Sequence, residues 1–110
     1  MNLREDKIDS FALVEVSGRV DSLNSETLKE YLQELGKREQ RVLIDCSALE
    51  YIGSAGLGAL LILLKLIQKK EGTLRLFGLS PRIGEVFTIA GFDKLFPIFP
   101  SLDAARRGGS

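Results

Sequence analysis

Large apolar and small or polar residues alternate along FALVEVSG, Phe11 to Gly18, the period-two pattern of a strand with one buried face. A weaker alternation from Leu3 to Ile8 precedes it, and Asp9 and Ser10 between the two predict a hairpin turn. The period then changes. Leu28, Tyr31, Leu32 and Leu35 recur at spacings of three and four, which predicts an amphipathic helix with Ser25 as N-cap and Gly36 near its end. RVLIDCS carries a short apolar run, Val42 to Ile44, the pattern of a strand buried on both faces of a parallel sheet. A connector, ALEYIGS, leads to the most apolar segment, expected to be helical from about Ala55 to Lys70. Leu74 to Phe77 predict a further strand, and Ser80 with Pro81 opens a helix that Gly91 ends. Beyond it the pattern predicts a short strand near Ile98, a short helix, and a frayed tail from about residue 104 to 110. Strands alternating with helices, without repeat or linker, predict one α/β domain over residues 1–110. Its core is expected to be a mixed, mostly parallel sheet of about four to five strands with helices packed on it.

On the long helix each residue advances by about 100°. Leu57, Ala59, Leu60, Leu63, Leu64, Leu66 and Ile67 then share the arc expected to face the sheet. Ser54, Gly58, Leu61, Ile62, Lys65 and Lys69 form a stripe on the other side. A stripe that starts at a serine, contains a glycine where another chain could approach, and carries two large apolar groups suits a docking face. The alternative is an apolar excess packed under neighbouring loops. Ser54 likewise has two readings, as a helix N-cap or as a switch beside that stripe. Gly53, Gly56 and Gly58 also raise a phosphate-binding turn. Their order, G-x-x-G-x-G, is not the dinucleotide pattern, and no Gly-Lys-Ser/Thr follows.

Composition narrows the chemistry. Fifteen basic residues balance fifteen acidic ones, so no long-range field draws the chain to nucleic acid. With no histidine there is no histidine triad or usual zinc site, and G-S-A-G is not a hydrolase elbow. The single cysteine, Cys46, excludes an internal disulfide, fits a reducing cytoplasm, and is expected to be a small core residue. The charged start, MNLREDKIDS, predicts no secretory leader, and Lys65 interrupts an apolar run too short to insert in a membrane.

RVLIDCSALEYIGSAGLGALL resembles the signature of the STAS domain, the fold of bacterial anti-sigma factor antagonists. VSGRVDSLNSETLKEYL is similar to that family's earlier Gly-x-x-Asp segment and first helix, and LRLFGLSPRIGEVFTIAGFDKLFPIFPSLDAA to its closing strand, helix and strand. The resemblance covers essentially the whole chain. It implies a non-enzymatic regulator without a cofactor, in which Ser54 is phosphorylated by a partner that is both anti-sigma factor and serine kinase. The unphosphorylated form would bind that partner and free the sigma factor; phosphorylation would abolish binding. Asp21 matches the acidic residue near the serine, Asp45 the aspartate closing the preceding strand, and Gly56, Leu57 and Gly58 the turn opening the helix. The docking surface so implied comprises Asp21, Gly53, Ser54, Gly56, Gly58, Leu61, Ile62 and Lys65. The sequence departs from the family at Gly53, where an acidic residue is usual. The rival reading is an unphosphorylated subunit of a larger assembly, such as a signalling complex or a lipid-transport ATPase. A homodimer through Leu61 and Ile62 would use the same surface.

Overall fold

The computed structural model describes residues 1–108; positions 109 and 110 of the expected tail lie outside the described residues. The alternating N-terminal stretch folds as a hairpin. β1 (Asn2–Ile8) pairs antiparallel with β2 (Phe11–Val20), placing Leu3 opposite Val16 and Ile8 opposite Phe11. Asp9 and Ser10 adopt φ of 50° and 69°, the left-handed pair that lets a two-residue turn follow the strands' twist. Parallel strands extend the sheet from β2: β3 (Arg41–Asp45), β5 (Thr73–Phe77) and, at the edge, β6 (Ile98–Phe99). The crossovers are α1 (Ser25–Arg38), α2 (Ser54–Lys69) and α3 (Pro81–Ile89), the last followed by a 3-10 turn at Phe92–Lys94. The short α4 (Leu102–Arg107) follows β6.

The sheet has six strands, one more than the upper expectation. The sixth, β4 (Leu49–Ile52), comes from the segment read as a connector and pairs parallel with the end of β2. Its burial runs in, out, out, in, so no period-two signal marks it. It forms because β2 outruns β3. Past Glu15 the second strand needs a new partner, and Gly18 donates its N–H to Ala48 at 2.9 Å while Gly53 donates to Val20 at 2.9 Å.

Alternation assigns the two sheet faces. Val14, Val16, Val42, Ile44, Leu74 and Leu76 meet Leu28, Leu32, Leu63 and Phe87 from the three crossover helices in the main core. Leu66 lies against α1 instead of the sheet: a Cβ on Gly36 would stand 2.9 Å from its Cδ1. Phe11, Leu43 and Phe77 point to the opposite face, where Ala105 of α4 closes over them. The expected fraying from 104 is thus corrected. The helix runs through Arg107, Ala105 is fully buried, and Arg75 donates to its carbonyl oxygen at 2.9 Å. The first helix also starts differently. Ser25 is its first residue, and Asn24 stands at the cap with its amide engaged elsewhere.

Arg38, near the end of α1, bonds Glu5, Glu34 and Glu39, and Lys7 bonds Glu39. The Arg38 guanidinium, helped by the Tyr31 hydroxyl, holds the Glu5 carboxyl at about 2, well below the usual 4.5. A depressed folded-state value means the stabilisation is present above the usual value and is lost as pH falls toward 2. Melting temperature measured against pH should therefore fall through this window. Glu5→Gln should flatten that fall and cost up to about 1 kcal/mol at neutral pH.

Candidate functional site

Val20 is the last residue of β2 and pairs with Ile52, the last of β4. The chain leaving the first enters the turn at Asp21, and the chain leaving the second enters α2 at Gly53 and Ser54. Two functional candidates far apart in sequence are thereby brought to one end of the sheet. Gly56 makes the junction tight. A Cβ there would lie 2.6 Å from Cγ1 of Val20 and 2.8 Å from Cγ1 of Ile52, so the first turn of α2 rests directly on both strand ends. Gly56, expected on the docking surface, is itself buried, and its visible part in the fold is this close packing.

Ser54 is exposed and is the first helical residue, with Gly53 in extended backbone at the cap. Its hydroxyl makes no hydrogen bond among the described residues, so the N-cap reading of Ser54 does not hold. The helix's first turn carries no acidic side chain. The positive end of the helix and its free N–H groups therefore face an unengaged hydroxyl, an environment that tolerates added negative charge. Downstream, nothing lies within 4 Å of a Cβ built on Gly58. Leu61 and Ile62 are half-buried, Leu61 leaning on the core, while Lys65 and Lys69 are exposed. The stripe read from the sequence is thus neither interior nor wholly open.

Gly53 lacks the side chain that would cap α2, yet its backbone is one any residue adopts. A Cβ would meet the Tyr51 side chain, its hydroxyl at 3.4 Å and its ring from 3.6 Å, at the near edge of ordinary contact. Gly53→Asp should therefore fold, accept an N–H from the first turn, and stabilise the domain by roughly a few tenths of a kcal/mol. A thermal melt should show a rise of about 1–4 °C.

Asp21 is half-buried and spends its carboxylate on the turn, its Oδ1 accepting from Leu23 N at 3.0 Å. The Leu23 side chain on the same turn stands 92% exposed. Sequence reading passed over it. The signal was an isolated leucine in the polar stretch DSLNSE, with no periodic partner. Arg19, opposite Tyr51 in the ladder, places its guanidinium 4.4 Å from that ring's centroid. Asp45 accepts from the N–H and hydroxyl of Ser47 at 2.9 and 2.6 Å, holding the turn after β3. Cys46 behaves as core: burial, and then the neighbouring Asp45, push its thiol up to about 12. Among the described residues no group of His, Cys, Asp and Glu could hold a metal, and no helix is long and apolar enough to cross a membrane.

The sequence profile of the STAS domain matches residues 2–105. The chain belongs to the STAS domain family. Among relatives of this STAS domain, BtrV of Bordetella bronchiseptica, which bears the name of an anti-sigma factor antagonist, is 41% identical over 106 residues, covering 96% of this chain and 91% of its own. The anti-sigma-B factor antagonist of Listeria monocytogenes is 34% identical over 94 residues, covering 84% of this chain and 79% of its own. The crystal structure of an anti-sigma factor antagonist from Mycobacterium paratuberculosis superposes with a TM-score of 0.83 at 28% identity, covering 96% and 91% of the two chains. The STAS fold expected from the resemblance is therefore the fold observed.

Proposed function

We propose that this STAS domain is a cytoplasmic anti-sigma factor antagonist, a binding module without catalysis of its own. It docks on an anti-sigma factor that is also a serine kinase, frees the sigma factor, and is released when Ser54 is phosphorylated. The observation that carries this reading is the Ser54 hydroxyl, exposed and unbonded at the head of a stripe containing half-buried Leu61 and Ile62. The names of the relatives support the partner class. Transfer of the γ-phosphoryl group of ATP to Ser54 Oγ, releasing ADP and a proton, occurs in the partner's active site. The product carries about −1.5 to −2 charges at neutral pH. The α2 macrodipole stabilises that charge by roughly 0.3–1 kcal/mol, so the fold accepts it. A docked surface that must bury or oppose the same charge faces several kcal/mol, and release follows.

Incubation with the anti-sigma factor kinase and ATP, followed by peptide mass spectrometry and gel filtration, tests the reading. A phosphoryl group on Ser54 and loss of the complex are expected. An unmodified Ser54 beside a demonstrably active kinase would overturn it. That outcome, with a complex that stays intact, would favour a fixed subunit of a larger assembly. The missing carboxylate at Gly53, which changes the charge a kinase would meet, is what favours that second reading.

A further inference from the structure

We infer that the partner of the Ser54 face presents an apolar pocket that takes Leu23, rimmed by carboxylates that meet Arg19 and Lys65. This rests on the docking reading above and specifies the partner's chemistry.

Leu23 is not merely exposed; it is held out. Asp21 N donates to Asn24 Oδ1 at 3.0 Å, Leu23 N to Asp21 Oδ1 at 3.0 Å, and Asn24 Nδ2 to the Arg19 carbonyl at 2.9 Å. The Asp21 carbonyl in turn accepts from Asn24 N and Ser25 N, at 3.3 and 2.9 Å. Asp21 and Asn24 brace one another, and the turn between them cannot fold its leucine back. An apolar side chain fixed in water, on the loop that leaves β2 where Gly53 donates to the Val20 carbonyl, is an anchor whose ordering cost is met before binding.

Charge defines the rim. The α2 sequence SAGLGALLILLKLIQK contains no acidic residue. Lys65, Lys69 and Arg19 form no ion pair among the described residues; Arg19 only stacks on Tyr51. Most ion pairs gather elsewhere, on β1, the last turns of α1, the hairpin turn and α4. Of the acids near the face, Glu26 pairs with Lys29 at 3.6 Å, Asp21 keeps its charge while accepting from Leu23 N, and Glu50 shares the groove between β4 and α3 with two cations, Arg19 and Arg82. In a chain of zero net charge, an apolar stripe bordered by free cations complements an acidic surface.

Calorimetric titration of the organism's anti-sigma factor kinase with the full chain tests this. Leu23→Ala should weaken binding at least about tenfold with an unchanged melting temperature. Arg19→Glu and Lys65→Glu should each weaken it severalfold, and wild-type affinity should fall as salt rises from about 50 to 500 mM. Wild-type affinity from Leu23→Ala would overturn the pocket; affinity indifferent to salt and to both reversals would overturn the acidic rim. Either result leaves the Ser54 reading standing if wild type binds. No wild-type binding overturns both.

Discussion

Replacing Ser54 by aspartate is expected to weaken docking on the anti-sigma factor by at least about 100-fold, or some 2.7 kcal/mol, while leaving the domain folded. The asymmetry follows from what surrounds the hydroxyl. Inside the domain it loses nothing, since Ser54 is exposed and forms no hydrogen bond among the described residues. The new carboxylate sits at the positive end of α2, whose first turn holds no other acid, and should stabilise the helix by roughly 0.3–1 kcal/mol. In the complex the same charge must shed water or face the partner's own groups, which costs more. Ser54→Ala separates charge from hydroxyl: it should bind close to wild type and resist modification. Isothermal titration reads the affinities and a thermal melt the fold. Wild-type affinity from the aspartate variant would sink the switch.

Gly56→Ala is expected to destabilise the domain by about 1–2 kcal/mol, and Gly58→Ala, two residues on, to do the opposite. The added methyl at Gly56 would press on Val20, which is fully buried, and on Ile52, 3% exposed; neither can yield without moving a strand end. Overpacking of this kind costs about 1–3 kcal/mol, of which the better helix propensity of alanine returns up to about 1. The melting temperature should drop by roughly 5–15 °C. At Gly58 the methyl meets nothing, so only the propensity gain of up to about 1 kcal/mol remains. Binding should reverse the order. Gly58→Ala thickens the stripe proposed to meet the partner and should weaken docking, though it stabilises the fold. Urea melts and titration of both variants check the pair. A Gly56→Ala protein as stable as wild type would mean that the strand ends give way more easily than their burial implies.

The long-period and alternating segments were readable because a single buried face imposes them: Val14 and Val16 on β2, Leu28, Leu32 and Leu35 on α1, Leu60, Leu63 and Ile67 on α2. What escaped was set by neighbours distant in the chain. β4 exists because β2 extends past β3, which nothing in LEYI announces. Ser25 looked like a cap, but Asn24 occupies that position with its amide drawn to Arg19 and Asp21. The C-terminal helix is polar and short, and its order comes from Phe11, Leu43 and Phe77 waiting on the sheet. At the site, helical geometry placed Ser54, Gly58, Leu61 and Ile62 on one stripe but left a docking face and a packed face both open; the resemblance to the STAS domain chose between them. Glycines defeat such reasoning, since burial of Gly56 and openness at Gly58 depend on what the fold brings near. Leu23 was invisible for the reverse reason: an anchor that packs on nothing leaves no periodic trace.

The short terminal helix has a practical meaning for anyone trimming this protein. A fragment ending at Pro100 would retain all six strands yet strip away Ala105, baring two phenyl rings and a leucine on the sheet's outer side. Such a fragment should clump, and a pull-down performed with it would report stickiness instead of recognition.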